Sequence, residues 1–535
     1  MTAGVENRAD ELLAELGFQH WRPGQREAVE AALSGRDSLI VMPTGGGKSL
    51  CYQLPGLASE DLTIVVSPLI ALMNDQWQRL NDAGHPVAMI TSAMSEEAVR
   101  HSLAQVRGGE ARIVYCSPER FGSSVFLEAL GRRRVDLIAV DEAHCVSEWG
   151  HDFRPDYLRL PEIAERLGRP TVMACTATAT EAVAREIAAR FKMREPLLVR
   201  SGFDRPNISF DVVRLEGTGS KARRLALLEA GLADPANRPA IVYCGTRKDT
   251  DEIFATLRDE GLRAVPYHAG MEPHHRAEAQ RRFMANEAEI VVATNAFGMG
   301  VDKANVRSVW HWAIPTSLEA YYQEAGRGGR DGLPAKAVLL AMKADLGRLV
   351  RFNEQRAGDP DLAIARERGW RDYRTIKDFI YSDRCRRRSI LDHFSDGTAG
   401  APLERCCDVC DPQGWLPDPE TIAVRRKPSA KKAAAPPAEL SPDDAALFEQ
   451  LKEWRLRAAD GKPAYTVAHN TTLEAIAAGK PATEDALLAI KGIGAGFIAK
   501  YAADVLRIVG ATTPPTSGHP LDVVAAEVGQ GDLFG

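Results

Sequence analysis

The chain has 535 residues, of which 45% are hydrophobic and 26% are charged, a composition typical of a globular protein with several domains. Its formal net charge of −6 gives no global sign of a nucleic-acid partner, so that inference needs local patches. The N-terminal stretch lacks the basic start and apolar core of a secretory signal, and no window is apolar enough to span a membrane. We therefore expect a cytoplasmic protein without a membrane partner.

The segment at 39–55, LIVMPTGGGKSLCYQLP, has the pattern of a phosphate-binding loop between a buried strand and a helix. The helix is expected to begin at Ser49 and to stop at Pro55. Lys48 would reach the β and γ phosphates of ATP, and the Ser49 hydroxyl would ligate Mg²⁺. A glycine-rich turn without nucleotide is the alternative. The predicted nucleotide-binding residues of the loop are Thr44, Gly45, Gly46, Gly47, Lys48 and Ser49.

Short apolar runs alternate with helical patterns over residues 38–200, and the alternation restarts after residues 203–213. Such alternation predicts parallel strands joined by helices. We therefore expect an α/β fold with two doubly wound parallel-sheet lobes, at residues 1–205 and 206–342.

Charged residues in both lobes are candidates for catalysis. VDEAH at 140–144 places two carboxylates at the end of a predicted strand, where Asp141 would hold Mg²⁺ and Glu142 would orient or deprotonate the attacking water. In the second lobe, QEAGRGGRDG offers Arg327 and Arg330 as arginine fingers for the γ-phosphate, with Arg330 the better candidate. The alternatives are a capped strand end and surface salt bridges.

The rest of the chain is expected to hold smaller units. The segments are a helical, Arg-rich unit at 343–411, a flexible linker at 412–440, a helical domain at 441–510 and a loose, disordered tail at 511–535. Four cysteines of the Arg-rich unit can form a closed tetrahedral zinc site, with free thiols as the alternative. These cysteines are Cys385, Cys406, Cys407 and Cys410. Because two of them are adjacent, the zinc site requires a tight turn.

Taken together, the phosphate loop, DEAH, TATAT (176–180) and QEAGRGGRDG resemble a superfamily 2 helicase motor, and finer segments resemble the RecQ DNA helicases. The resemblance covers roughly residues 10–411 and implies RecA-like lobes. It includes LGFQHWRPGQ, in which it implies that Phe18 stacks on adenine while Arg22 and Gln25 recognise the edge of the base.

The stretch CVSEWGHDFRPDY (145–157) resembles the aromatic-rich loop through which this family couples DNA binding to ATP hydrolysis. Aromatic faces and a cation can stack on unpaired bases, at about 1–3 kcal/mol for each contact. Aromatic residues of a buried core are the alternative. The expected DNA-binding residues are Trp149, His151, Phe153 and Arg154.

Beyond the cysteines, the resemblance becomes partial. The winged-helix domain that follows the zinc unit in many RecQ proteins cannot fit into residues 412–440. Two segments within 465–506 resemble the HRDC domain. The surface of this domain would contact DNA or protein. The alternative is a turn with only a structural role. The terminal peptide Gln530–Phe534 resembles the motif by which bacterial proteins dock on the replication sliding clamp, although short motifs also arise by chance.

The resemblance implies an ATP-dependent DNA helicase that moves 3′ to 5′ and acts in recombination, repair and replication in the bacterial cytoplasm, associated with the nucleoid. Its cofactors would be ATP, Mg²⁺ and a structural Zn²⁺. Its expected partners are single-stranded DNA, tailed or forked duplex DNA, the sliding clamp and single-strand-binding protein. The alternatives are a DNA-stimulated translocase or annealing factor that unwinds weakly, and a DNA-repair scaffold recruited through the C-terminal domain and tail.

Overall fold

The computed structural model divides into two compact units, Met1–Arg425 and Arg426–Gly535. Within the described part of the chain, no helix combines the length and the hydropathy needed to cross a bilayer. The described residues are 2–43, 45–147, 153–298, 303–354, 363–398, 400–424, 441–459, 467–468, 470–490, 493 and 495–512.

The first lobe is built on a parallel sheet of seven strands. The strands are β1 (Ser38–Val41), β2 (Leu62–Val66), β3 (Val87–Ile90), β4 (Ile113–Cys116), β5 (Val135–Val140), β6 (Thr171–Thr176) and β7 (Leu197–Arg200). Their order across the sheet is β3-β4-β2-β5-β6-β1-β7, so the strand that leads into the phosphate loop lies between β6 and β7. Strands β1, β2 and β4 are buried along their whole length, and β5 and β6 each have one half-buried residue, as expected of a parallel sheet covered on both faces.

Helices cover both faces of this sheet. They are α1 (Thr2–Glu15), α2 (Gln25–Leu33), α3 (Lys48–Ala58), α4 (Ile70–Asp82), α5 (Glu96–Gly108), α6 (Ser124–Gly131), α7 (Leu160–Arg166) and α8 (Glu181–Arg190). Residues of α2, α3 and α4 share one apolar cluster with the sheet, and residues of α5 to α8 share a separate cluster with it. The lobe is therefore doubly wound.

The prediction that Pro55 stops the first helix after the loop is wrong. Helix α3 continues through Pro55 to Ala58. A proline inside a helix removes one hydrogen bond and costs about 3 kcal/mol or more. Here Leu54, Pro55 and Gly56 are all buried, and Gly56 lies so close to β4 that a Cβ atom on it would be 3.0 Å from Ile113 Cγ1. Packing of the helix against the sheet offsets the lost hydrogen bond.

The second lobe has a parallel sheet of six strands. They are β8 (Ile208–Leu215), β9 (Ala240–Tyr243), β10 (Ala264–Tyr267), β11 (Ile290–Ala293), β12 (Ser308–His311) and β13 (Ala335–Met342), in the order β10-β11-β9-β12-β13-β8. Its helices are α9 (Ser220–Ala233), α10 (Arg247–Asp259), α11 (Pro273–Met284) and α12 (Leu318–Ala325). The predicted α/β fold with two doubly wound lobes is confirmed.

Three helices and a cysteine-bearing turn follow the second sheet. The helices are α13 (Lys343–Glu354), α14 (Ala363–Tyr381) and α15 (Arg386–His393). The turn lies beside β8, because Phe210 N donates to Cys406 O and Val212 N donates to Asp408 Oδ1, each at 3.1 Å. The buried guanidinium of Arg386 makes a two-point contact with Asp408, at 3.1 and 3.0 Å. The cysteine turn is thus attached to the edge of the second sheet.

Residues 412–440 were predicted to be a flexible linker, and the first part of this segment instead packs on the second lobe. Trp415, Leu416 and Ile422 contact the apolar cluster of that lobe. Trp415 Nε1 donates to Asp211 Oδ2 at 3.1 Å, and the Lys336 ammonium lies 4.0 Å from the centre of its ring. Residues 412–424 therefore pack against the second lobe through these apolar side chains. Residues 425–440 lie outside the described residues.

The second unit is helical. Its helices are α16 (Pro442–Ala458), α17 (Asn470–Gly479), α18 (Glu484–Leu488) and α19 (Ala495–Thr512). Ser441 caps α16, since its hydroxyl accepts from Asp444 N at 3.2 Å. The core contains Leu447, Leu451 and Trp454 from α16. This helical C-terminal region agrees with the predicted fold class.

Candidate nucleotide-binding cleft

A cavity of about 800 Å³ lies between the two lobes and is lined by residues of both. The predicted site residues in its lining are Phe18, Arg22, Gln25, Gly45, Gly47, Lys48, Ser49, Asp141, Glu142, Arg154, Arg327 and Arg330. The structure therefore brings the proposed phosphate, magnesium and arginine-finger residues to one place. Thr44 lies outside the described residues.

The glycine loop turns sharply before α3. Gly45 and Gly47 have φ values of +84° and +82°, in the left-handed region that favours glycine, and Gly46 N donates to Pro43 O at 2.9 Å. Since α3 begins at Lys48, its free N–H groups and its positive dipole end point toward the cavity. The Lys48 ammonium donates to Met42 O at 2.9 Å and to Pro43 O at 3.4 Å. This arrangement suits a bound polyphosphate.

The residues predicted to bind adenine lie directly against this loop. Gln25 Nε2 donates to Gly47 O at 3.0 Å, while Gln25 Oε1 accepts from Arg22 N at 2.8 Å. The Arg22 guanidinium donates to Gly45 O. Phe18 is 51% exposed and lies in the cavity lining, so its ring is available for stacking. Binding of adenine by these residues stays a prediction.

The acidic pair lies at the end of β5. Asp141 is buried, and burial together with the charge of Glu142 raises its pKa, while Lys48 opposes the shift. Glu142 has a φ of +49°, an uncommon conformation for a residue with a side chain and one often found at functional sites. Among the described residues, Glu142 Oε2 is buried without a hydrogen bond, although His144 Nδ1 lies 3.3 Å away. A buried and a half-buried carboxyl group in adjacent positions fit a divalent cation.

A series of hydrogen bonds runs from His144, which lies beside the acidic pair, to the second lobe. His144 Nδ1 lies 2.9 Å from Thr176 Oγ1, and Thr178 N donates to the same oxygen at 3.2 Å. Gln323 Nε2 then crosses the cleft and donates to Thr178 Oγ1 at 3.0 Å. Gln323 belongs to the segment QEAGRGGRDG, yet sequence reasoning assigned it no role because its partner is distant in the chain.

Both candidate arginine fingers point into the cleft. A Cβ atom on Gly45 would lie 3.7 Å from Arg330 Cγ, so the stem of Arg330 reaches the phosphate loop of the other lobe. Arg327 packs against Gly298, and its Nε is buried without an acceptor among the described residues. Two arginines that line the same cleft as a phosphate loop suit charge stabilisation during phosphoryl transfer. Their roles stay predictions.

The aromatic-rich loop is only partly described. Trp149 and His151 lie outside the described residues. Phe153 is half-buried, and Arg154 lines the cleft while its backbone N donates to Cys145 O at 3.0 Å. The loop therefore ends beside the nucleotide cleft. DNA binding by these residues stays a prediction.

The four clustered cysteines lie together. Their Sγ atoms are all within 4.8 Å of one another. Cys385 Sγ lies 3.6 Å from Cys406 Sγ and 4.0 Å from Cys407 Sγ, and Cys410 N donates to Cys407 Sγ at 3.4 Å. A tight turn follows Cys407, as the adjacent cysteines require. Four thiol ligands at these separations can hold zinc in a tetrahedral site.

Comparison with known proteins agrees with this geometry. A DEAD/DEAH box helicase model matches residues 22–187, and a model of the helicase conserved C-terminal domain matches residues 212–332. An HRDC domain model matches residues 444–509. ATP-dependent DNA helicase RecQ of Pasteurella multocida (strain Pm70) is 38% identical over 401 residues, which are 75% of this chain and 62% of that protein. This chain belongs to the RecQ family.

Other RecQ relatives give similar values. ATP-dependent DNA helicase RecQ of Bacillus subtilis (strain 168) is 39% identical over 393 residues, which are 73% of this chain and 65% of that protein. This RecQ-family chain thus spans less than two thirds of the length of these relatives.

Solved structures share the fold of this RecQ-family chain. The DEAD-box helicase Mss116, bound to ssRNA and UDP-BeF, has a TM-score of 0.53 at 19% identity over 65% of this chain and 75% of that chain. The DUF1998 helicase MrfA, bound to DNA and AMPPNP, also has a TM-score of 0.53, at 22% identity over 65% of this chain and 52% of that chain.

Proposed function

We propose that this protein is an ATP- and Mg²⁺-dependent DNA helicase that moves 3′ to 5′ and acts in recombination, repair and replication. The observation that carries the proposal is the approach of Arg330 to Gly45, in which the stem of a second-lobe arginine reaches the phosphate loop of the first lobe. A site shared by two lobes is complete only when they are close together, so ATP binding and hydrolysis can drive their relative motion.

Each residue of the cleft has a proposed task. Lys48 binds the β and γ phosphates, and Ser49 with Asp141 holds Mg²⁺, which neutralises phosphate charge when it is bound. Glu142 orients or deprotonates the attacking water. Arg327 and Arg330 stabilise the charge that develops on the transferred phosphoryl group.

The proposed DNA substrate is single-stranded DNA and tailed or forked duplex. Phe153 and Arg154 end a loop that begins beside the acidic pair, so a base that contacts this loop can change the geometry of the nucleotide site. Most of the affinity would come from phosphates, so binding should weaken as salt rises. A zinc ion at the four cysteines would be structural, because the protein fills all four ligand positions.

The experiment is ATP hydrolysis with and without single-stranded DNA. Wild type should be strongly stimulated, Lys48→Ala should lose hydrolysis and ATP binding, and Glu142→Gln should lose hydrolysis while it still binds ATP. Glu128→Gln changes an exposed carboxylate of the same lobe and should behave as wild type. Normal turnover by Glu142→Gln would refute the assignment of the site.

A second candidate is a DNA-stimulated translocase or annealing factor that separates strands weakly. It is favoured by residues 412–424, which pack on the second lobe in the place in the chain where many RecQ proteins begin a winged-helix domain. Stimulated hydrolysis without strand separation on any tailed duplex would support this candidate.

Recruitment is proposed to occur through the C-terminal tail. Gln530–Phe534 lies outside the described residues, and its likeness to the clamp-docking motif is the basis of the proposal. Changing Leu533 and Phe534 to alanine should abolish binding to the sliding clamp in a pull-down. Unchanged clamp binding would refute recruitment through the tail. It would not bear on the proposed ATP hydrolysis in the cleft.

A further inference from the structure

A group of polar side chains interrupts the apolar layer between the first sheet and helices α3 and α4. The layer contains apolar residues such as Cys51, Met73, Val65 and Leu137. Within it, four side chains form a hydrogen-bonded set that we call the α3–α4 bridge. Its members are Tyr52 and Gln53 on α3, Gln76 on α4 and Tyr115 on β4.

Three hydrogen bonds join the bridge. Tyr52 Oη donates to Gln76 Oε1 at 2.9 Å, and Gln53 Nε2 donates to the same oxygen at 3.4 Å. Gln53 Nε2 also donates to Tyr115 Oη at 2.9 Å. One glutamine oxygen thus accepts from two side chains of the phosphate-loop helix, and Gln53 extends the connection to a neighbouring strand.

Burial keeps the two phenols of the bridge protonated. Tyr52 and Tyr115 are both buried, and burial raises the pKa of each phenol, as does the nearby charge of Asp141. Both phenols therefore stay protonated at physiological pH. Gln53 and Gln76 are half-buried, and hydrogen bonds among partly and fully buried side chains hold their elements in one arrangement.

The bridge connects the nucleotide site to two other turns at the same edge of the sheet. Helix α3 begins at Lys48, α4 follows the turn after β2, and the turn at 117–122 follows Tyr115. Parallel strands place these turns at their carboxyl ends, where open α/β sheets bind ligands. The turn after β4 is itself held by Glu119, which accepts from Ser117 and Ser92 at 2.7 and 3.0 Å.

We propose that Gln76 is a positioning residue that makes ATP hydrolysis responsive to DNA, because its bonds to Tyr52 and Gln53 fix the phosphate-loop helix to α4. The inference rests on the proposed function, in which DNA contacts the carboxyl edge of the first lobe. A DNA strand that binds there and shifts α4 or the turn after β4 would also shift α3, and Lys48 would move with α3. The expected effect of Gln76 is on coupling rather than on the chemical step.

The test compares three substitutions on α4. Gln76→Leu removes the accepting oxygen at similar volume, and Gln76→Glu keeps an oxygen that can accept both bonds. Gln78→Leu makes the same chemical change at an exposed position of the same helix and is the matched control. Hydrolysis is measured without DNA and with saturating single-stranded DNA, together with the thermal unfolding midpoint and the KM for ATP.

We expect DNA to stimulate ATP hydrolysis about tenfold less in Gln76→Leu than in wild type. Unstimulated turnover and the KM for ATP should change less than twofold. Gln76→Glu should recover most of the stimulation, and Gln78→Leu should equal wild type. If Gln76→Leu lowers the unfolding midpoint strongly, Tyr52→Phe serves as a milder variant that deletes only one hydroxyl and should reduce stimulation about threefold.

The same hydrolysis measurements separate the role of Gln76 from the proposed helicase function. Wild type that hydrolyses ATP without DNA stimulation would overturn both. Stimulated wild type with equal stimulation in Gln76→Leu and Tyr52→Phe would overturn the inference alone. Equal loss of stimulated and unstimulated turnover would also overturn it, since that result indicates a role in folding or in the chemical step.

Discussion

Replacement of Gly47 by alanine tests the phosphate loop at a single atom. Gly47 has a φ of +82°, and a Cβ atom there would lie 2.2 Å from Gln25 Nε2, well inside contact distance. Gln25 would have to move and to give up its hydrogen bond to Gly47 O. The loop of Gly47→Ala should therefore relax to another conformation, and ATP binding would have to restore the original one.

The magnitude follows from two terms. The left-handed conformation costs a residue with a Cβ atom about 1–2 kcal/mol, and a lost hydrogen bond costs about 0.5–1.5 kcal/mol. Their sum of about 1.5–3.5 kcal/mol corresponds to roughly 12- to 320-fold weaker ATP binding at 1.4 kcal/mol for each factor of ten.

Anisotropy of a fluorescent ATP analogue measures the change. Gly168→Ala is the matched control, because Gly168 has a φ of +85° in the same lobe but nothing lies within 4 Å of its Cβ position. The control should lose some stability and keep wild-type affinity. Wild-type affinity in Gly47→Ala would refute the reasoning, since the clash with Gln25 would then have no effect on the bound state.

Three further changes have expected outcomes. Arg330→Ala should lower the rate of single-turnover hydrolysis at least about 10³-fold, while its affinity for ATP stays within about threefold of wild type. The control Arg281→Ala removes an exposed arginine of the same lobe and should have no effect. Equal hydrolysis rates in Arg330→Ala and wild type would show that Arg330 is not part of the site. Cys407→Ser should lose stoichiometric zinc in elemental analysis, while Cys51→Ser should keep it; retained zinc would contradict the four-cysteine site. Trp415→Ala should lower the free energy of unfolding by about 2 kcal/mol in urea titration, and an unchanged midpoint would show that residues 412–424 add no stability.

Features with a local sequence pattern were predictable. The strand, glycines, Lys48 and Ser49 of the phosphate loop are consecutive, so the loop follows from the sequence alone. The same is true of the acidic pair at the end of β5. The approach of Arg330 to Gly45 depends on how two lobes pack together, and the sequence could offer Arg330 only as a candidate.

Features that depend on distant partners were missed. Strand β8 contains Asp211, which is unfavourable in a buried strand until it is paired. The structure supplies Arg405 at 2.8 Å and Trp415 at 3.1 Å, both far along the chain. The α3–α4 bridge was missed for the same reason, because Gln53, Gln76 and Tyr115 look like ordinary polar residues until the sheet brings them together.

Pro55 shows that a local signal can also mislead. A proline normally ends a helix, but burial of α3 against β4 outweighs the missing hydrogen bond. Likewise, the prolines, alanines and basic residues of 412–440 predict a flexible linker, while three apolar side chains decide the packing of 412–424.

The proposed motor works through the cleft between the lobes, where ATP hydrolysis would drive strand separation along DNA. The most direct measurement is ATP-dependent unwinding of two duplexes that differ only in having a 3′ or a 5′ single-stranded tail, with Glu142→Gln as the inactive control. Wild type should separate only the 3′-tailed duplex, and Glu142→Gln should separate neither duplex. Separation from the 5′ tail, or separation that persists in Glu142→Gln, would contradict the proposal.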